Sequence, residues 1–393
     1  MIKKRILYLS SIALEPTTGG YLLMYRHLKM REDFEVFEVN HQVIEAYRQK
    51  STIYKLFDPF VTRLRRTRLS IWLLNLLYLN YDRQIPDNLL KDIRQFQPNV
   101  VLTVVHGNLF WSALQISQQM NLPLVSIYHD WWPLLAEQFI NLNFRSVQKL
   151  HTLFRKIYAK SNCVFSVCQG MQEELGEHPN SHILYPIPSD PPAGLTEPYG
   201  SFNEDVVLEL PSLCYAGNLS SGYGLLLRNV LSLTNCKLPF QLDLYGSVED
   251  WPNLEREAAK KTGVLKPYTP FHQLVSVFGK ASALLTVMSF EKESELFLRT
   301  SFPSKFTAYC AFGKPLVVWA PAVSSIASFV KKHKAALLIE DPNPLIFIQK
   351  VEELFNSQSL QEELTQRAKQ LYEELFHPDR IHQKFVEQIL SLC

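Results

Sequence analysis

Phe302-Pro303-Ser304-Lys305-Phe306-Thr307-Ala308-Tyr309-Cys310-Ala311-Phe312-Gly313-Lys314-Pro315 lies between two apolar runs, Ala283-Leu284-Leu285-Thr286-Val287-Met288 and Leu316-Val317-Val318-Trp319-Ala320. Pro303 suits a helix's first turn, Gly313 suits the left-handed stop after its last, and Pro315 bars continuation. The stretch predicts strand, loop, short helix, strand, the repeating unit of a parallel α/β sheet. In such sheets ligands sit where strand carboxyl ends pass into loops and helix N-termini. Ser304 and Lys305 fall there, a hydroxyl and a cation beside the positive end of a helix dipole. They make a candidate anion site.

The chain on either side repeats this alternation. Leu213-Cys214-Tyr215-Ala216 empties into the glycine-rich Gly217-Asn218-Leu219-Ser220-Ser221-Gly222-Tyr223-Gly224, and a helix follows over 225–233. A further strand over 240–246 ends in glycine, and 264–269 leads to a helix over 271–280. Three amphipathic helices over 344–356, 358–375 and 378–391 carry charge but no chemical motif, and read as packing elements.

The first half obeys the same logic. Ile6-Leu7-Tyr8-Leu9 is a short strand leading through Ser10-Ser11 to Thr17-Thr18-Gly19-Gly20 and a helix over 21–29. Gly19 and Gly20 would let a ligand approach the backbone, or simply form a tight turn. Their spacing is not G-x-G-x-x-G, so a nicotinamide cofactor is not indicated. Strands follow over 98–107, 121–128, 161–168 and 182–185. The second of these runs straight into His129-Asp130-Trp131-Trp132-Pro133. His129 titrates near physiological pH when unperturbed and could donate to a phosphate or a sugar hydroxyl, with Asp130 orienting it or binding hydroxyls. The alternative is a capping Asp beside a structurally bonded His.

At 393 residues the chain is long enough for two ordinary domains. Prolines 186, 188, 191, 192 and 198 with Gly194 and Gly200 mark a linker. The expected division is a first domain over 1–190, a linker over 191–210, a second domain over 211–375 and a C-terminal helix over 376–393. Net charge is +2, so nothing in the overall balance calls for nucleic acid. No apolar run reaches the roughly 20 residues that span a bilayer. The start, Met1-Ile2-Lys3-Lys4-Arg5, is basic, but the apolar run after it is shorter than the roughly 7–15 residues of a signal peptide, so an edge-limited first strand is expected. The six cysteines show no metal-type spacing, Cys163 and Cys168 included, and read as reduced core residues of a cytoplasmic protein.

The segment 47–83 stands apart. Arg48, Lys50, Lys55, Arg63, Arg65, Arg66, Arg68 and Arg83 are interleaved with seven aromatic side chains, and 63–79 passes from a basic cluster into a largely apolar run. That pattern fits a helix lying on an anionic membrane surface, or a core helix with a solvated basic start.

In order and spacing these pieces resemble the GT-B-fold glycosyltransferases of the retaining family-4 type over nearly the whole chain. The residues that carry the resemblance are Gly19-Gly20, His129-Asp130 to Pro133, Phe165-Ser166-Val167, Tyr215 to Leu219, Leu244-Tyr245-Gly246, and Pro303-Ser304-Lys305 to Gly313-Lys314-Pro315. The resemblance implies an α/β fold with two facing Rossmann-like parallel-sheet domains and an inter-domain cleft. It implies a nucleotide-sugar as substrate, no cofactor and no metal, and a glycan, glycolipid or lipid-linked acceptor bound by the first domain. Gly217 and Asn218 would approach the diphosphate, with Ser304 and Lys305 adding hydroxyl and charge and Tyr268 near the nucleobase. Gly19 and Gly20 would close over the phosphates or acceptor, and His129 would contact the transferred sugar. The family commonly carries two glutamates eight positions apart, where this chain has Thr300 and Ala308; Glu291, Glu293 and Glu295 in the preceding loop are the candidates to compensate. A non-catalytic GT-B subunit that binds a nucleotide or glycan is the alternative, and a sugar-nucleotide epimerase a third reading, for which paired acids cannot be placed.

Overall fold

Continuous apolar runs of four to six residues suit strands buried on both faces, and parallel sheets need such strands. The computed structural model describes residues 3–17, 19–50, 70–81, 83–140, 142–189, 210–291 and 295–392. The chain divides into two units, Met1–Tyr185 with Ile381–Cys393, and Pro186–Arg380.

The first unit is built on β1 (Lys4–Leu9), β2 (Phe34–Val39), β3 (Val100–Val104), β4 (Leu124–Tyr128), β5 (Cys163–Ser166) and β6 (Ser181–Ile183). They form one sheet in the order β2-β1-β3-β4-β5-β6, with parallel pairing throughout. The first strand is not at an edge. It pairs with β2 over its full length, Lys4 opposite Phe34 to Leu9 opposite Val39, and with β3 on its other side. The expectation of an edge-limited strand fails because β2, half-exposed and interrupted by Glu35 and Glu38, gives no continuous apolar run. The last helix, Pro378–Leu390, brings Phe385 against Phe165 and Phe34 of this unit.

The second unit carries β7 (Ser212–Ala216), β8 (Gln241–Tyr245), β9 (Ala283–Val287), β10 (Leu316–Trp319) and β11 (Leu337–Ile339), ordered β11-β10-β9-β7-β8. These strands are also parallel. Trp319 is fully buried, stacks on Phe347 at 4.3 Å between ring centroids, and donates from Nε1 to Asp341 O. Both sheets reverse their strand order once, between β1 and β3 and between β7 and β9. Such switch points leave a crevice beyond the strand carboxyl ends, where ligands bind in open α/β sheets.

Of the segment 47–83, residues 51–69 and 82 lie outside the described residues, as does the expected linker apart from its margins. A helix covers Ser70–Leu76 and continues as one π-type turn over Leu77–Tyr81. Among the described residues no helix is long and apolar enough to cross a membrane.

Candidate functional site

In the second unit the β7 carboxyl end and the helix Ser304–Cys310 meet at one cation. Phe306 is fully buried and packs edge-on against Phe302, Phe329 and Phe376, which fixes the helix. Tyr309, one turn on from Lys305 and so on the same face, accepts from the Ala216 amide at 3.2 Å. Lys305 Nζ then lies 5.0 Å from the centre of the Tyr215 ring. Gly217 has φ +152°, and a Cβ there would collide with Lys305 Cε and Nζ. The glycine is what lets the ammonium reach the β7 backbone. Burial lowers the Lys305 pKa from 10.5 to about 8, so it stays mostly protonated at neutral pH. Among the described residues no carboxylate pairs with it. A half-buried cation with no counter-ion among the described residues is suited to an anion.

The loop after β7 is held by its own polar groups. Tyr215 OH donates to Asn218 O at 2.6 Å, and the Asn218 side-chain oxygen accepts from Ser220 N at 2.8 Å. Asn218 thus shapes the loop, while Ser304 is exposed beside Lys305. Across the switch point, a Cβ on Gly222 would meet Ser289 Oγ and would lie 3.1 Å from Glu291 Oε2. Glu291 therefore stands against the glycine-rich loop. Thr300 does not: it is buried, and its hydroxyl donates to Leu296 O at 2.7 Å. Glu293 lies outside the described residues.

Tyr268 is 92% exposed and belongs to a separate depression of about 550 Å³ lined by Gly246, Glu249, Arg256, Lys260 and Lys266 among others. Gly246 joins this depression to the β7 loop, since a Cβ on it would collide with Gly217 O.

In the first unit the corresponding crevice gathers the ends of β1, β3 and β4. Ser11 Oγ accepts from the amides of Asn108 and Leu109 at 3.1 and 3.3 Å and pairs with His41 Nε2 at 3.1 Å. Gly107, at φ +70°, leaves the room that Ser11 needs. A Cβ on Gly20 would lie 3.4 Å from His129 Nδ1, so the Gly19-Gly20 turn and His129 come together. His106 packs on Trp132 at 3.7 Å between ring centroids. Trp132 Nε1 donates to Tyr78 OH at 3.1 Å. Asn108 Oδ1 is buried without a hydrogen-bond partner among the described residues, while Asn108 Nδ2 donates to Tyr78 O at 2.7 Å.

His129 is not the physiological-pH titrator its type suggests. Burial lowers its pKa to about 4, and burial with the His129 charge does the same for His106, so both rings are neutral at pH 7. Asp130 does not orient His129 through a hydrogen bond among the described residues; burial raises its carboxyl to about 6. Sequence reasoning passed over Ser11, His106, Asn108 and Tyr309. His106-Gly107 at a strand end and Tyr309 four residues from Lys305 were the available signals.

Residues 40–186, less than half of the chain, match the family described as Glycosyltransferase Family 4. No curated protein matches the chain in sequence. Among solved structures, HepE of Anabaena in complex with UDP superposes with a TM-score of 0.63 at 13% identity, covering 100% of both chains. Sucrose-phosphate synthase of Thermosynechococcus elongatus gives 0.60 at 12% identity over 99% of each chain. MurG of Acinetobacter baumannii gives 0.55 at 10% identity, again over 99% of each. At such identities the likeness shows the fold, two parallel-sheet α/β units of the GT-B type, and the resemblance to GT-B glycosyltransferases holds at that level.

Proposed function

We propose that this chain is a glycosyltransferase that moves a sugar from a nucleotide-sugar to a glycan, glycolipid or lipid-linked acceptor, with retention. The observation that carries the reading is Lys305, a half-buried cation without a carboxylate partner among the described residues, set against Gly217 at the end of β7. A diphosphate supplies the missing counter-charge, and its negative charge grows as the sugar departs. Preorganised positive charge at a leaving group lowers the barrier without any protein nucleophile. The match to Glycosyltransferase Family 4 and the UDP held by HepE, which also occurs with UDP and glucose, support a nucleotide-sugar donor.

In this reading the second unit binds the donor and Glu291 takes the place of the carboxylate absent at Thr300 and Ala308. The first unit offers neutral His129 to a sugar hydroxyl. Lysine and loop amides carry the leaving-group charge, so the reaction runs without a metal ion, at the cytoplasmic face of a membrane to which the chain attaches peripherally.

The test is a thermal-shift and calorimetric screen with UDP-, GDP- and ADP-sugars, followed by donor hydrolysis with and without EDTA. One donor class should bind and turn over, and EDTA should leave the rate unchanged. Binding without turnover across varied acceptors would favour the non-catalytic reading, for which Thr300 and Ala308 speak.

A further inference from the structure

The helix Phe144–Lys160 carries Arg145, Lys149, Arg155, Lys156 and Lys160 and no acidic residue. Its apolar side is buried through Val147, Leu150, Phe154 and Ile157, while Arg145, Lys149, Lys156 and Lys160 are exposed. At 3.6 residues per turn these four fall within about 60° of arc, in a row about 22 Å long. Among the described residues none of them is paired with a carboxylate. Arg145 and Lys149, like Lys156 and Lys160, stand four positions apart, where like charges repel. The row therefore works against the helix unless an outside anion neutralises it.

Large apolar side chains stand exposed near the helix's N-terminal end, beside the start of the row. Phe144, at the helix start, is 73% exposed. The residue before it, Asn143, donates its amide to Asn75 Oδ1 at 3.0 Å, which ties on the helix Ser70–Leu76. On that helix Trp72 is 61% exposed and Leu76, one turn on, 45%. Lys156 Nζ also lies 5.0 Å from the Trp111 ring, with the Arg83 guanidinium near the same ring. A polyanion in water would engage the cations and leave Phe144 and Trp72 solvated. A bilayer takes both, because aromatic side chains settle among headgroups while cations meet the anionic surface.

We propose that this face of the first unit, the Arg145–Lys160 row with Phe144 and Trp72, docks the protein on an anionic lipid bilayer. The inference rests on the peripheral-membrane reading above and gives it a place outside 51–69. Each cation near such a surface contributes about a fivefold gain in partitioning.

The full chain is floated with vesicles of phosphatidylcholine alone and of phosphatidylcholine mixed with phosphatidylglycerol, and donor affinity is measured on the same samples. Wild type should float only with the anionic vesicles, and added salt should weaken it. The R145Q/K149Q double variant should partition about 25-fold less, with Tm no lower than wild type, since a repulsive pair is removed, and with donor affinity unchanged. Phe144→Ser should weaken flotation while leaving binding to a DNA duplex unaltered. If both variants float like wild type, this face is wrong although membrane attachment stands. If wild type does not float, both fall, and the donor titration still judges the transferase reading. Flotation indifferent to Phe144→Ser, with a DNA duplex competing as well as lipid, would make the face a polyanion site and overturn the proposal.

Discussion

Lys305 holds its charge at a cost, and its pKa of about 8 sets a window for donor binding. Donor affinity should fall as pH rises through 8, because the deprotonated amine offers a diphosphate no charge. In Lys305→Ala that dependence should vanish, and affinity at neutral pH should drop about 10- to 150-fold, the value of a charged hydrogen bond of about 1.5–3 kcal/mol. His129 and Asp130 make a second titrating pair. The His129 pKa lies below its unfolded value of 6.5, so its contribution to stability is full above pH 6.5 and lost as pH falls toward 4. The Asp130 value is raised from 3.8 to about 6, so its penalty is complete above pH 6 and relieved over nearly the same fall. The two oppose one another. Asp130→Asn should therefore stabilise the protein at pH 7 by about 1–3 kcal/mol and steepen its acid-side loss, as thermal melts across pH would show. His129→Ala should lower turnover more than donor affinity; equal losses in both would remove it from the reacting sugar.

At the scale of elements, the switch points do the positioning. Ser11 draws the β3 loop onto the end of β1 through two amides, so Ser11→Ala should cost about 1–3 kcal/mol, read as a lower midpoint in urea. Gly217→Ala should push Lys305 off the β7 end and weaken donor binding, and it should lower Tm as well, because φ +152° strains any residue with a Cβ. The strand–helix–strand unit around 302–315 was legible, since Pro303 and Gly313 punctuate it and its flanking strands are unbroken apolar runs. Gly313 does adopt φ +55°. β2 was not legible: it alternates Phe and Val with two glutamates and depends on β1 for its pairing. The candidate residues showed themselves by type and by strand-end position. What enclosure does to His129 and Lys305 did not, because a pKa is set by neighbours distant in sequence.

The whole molecule joins two sheets that reverse strand order in the same way, each with polar residues gathered at its own switch point. One gathers neutral imidazoles, a buried amide oxygen and a glycine turn, suited to hydroxyls. The other gathers a half-buried ammonium, a glycine-rich loop and Glu291, suited to a diphosphate and a ribose. That division of chemistry is the core of the account, and the donor side is its most exposed part. The most direct measurement is calorimetric titration of wild type and Lys305→Ala with UDP-, GDP- and ADP-sugars at neutral pH. The account predicts that one of these donors binds wild type and that the variant loses most of that affinity. Equal affinity in the two proteins, or no binding of any donor to wild type, would contradict it.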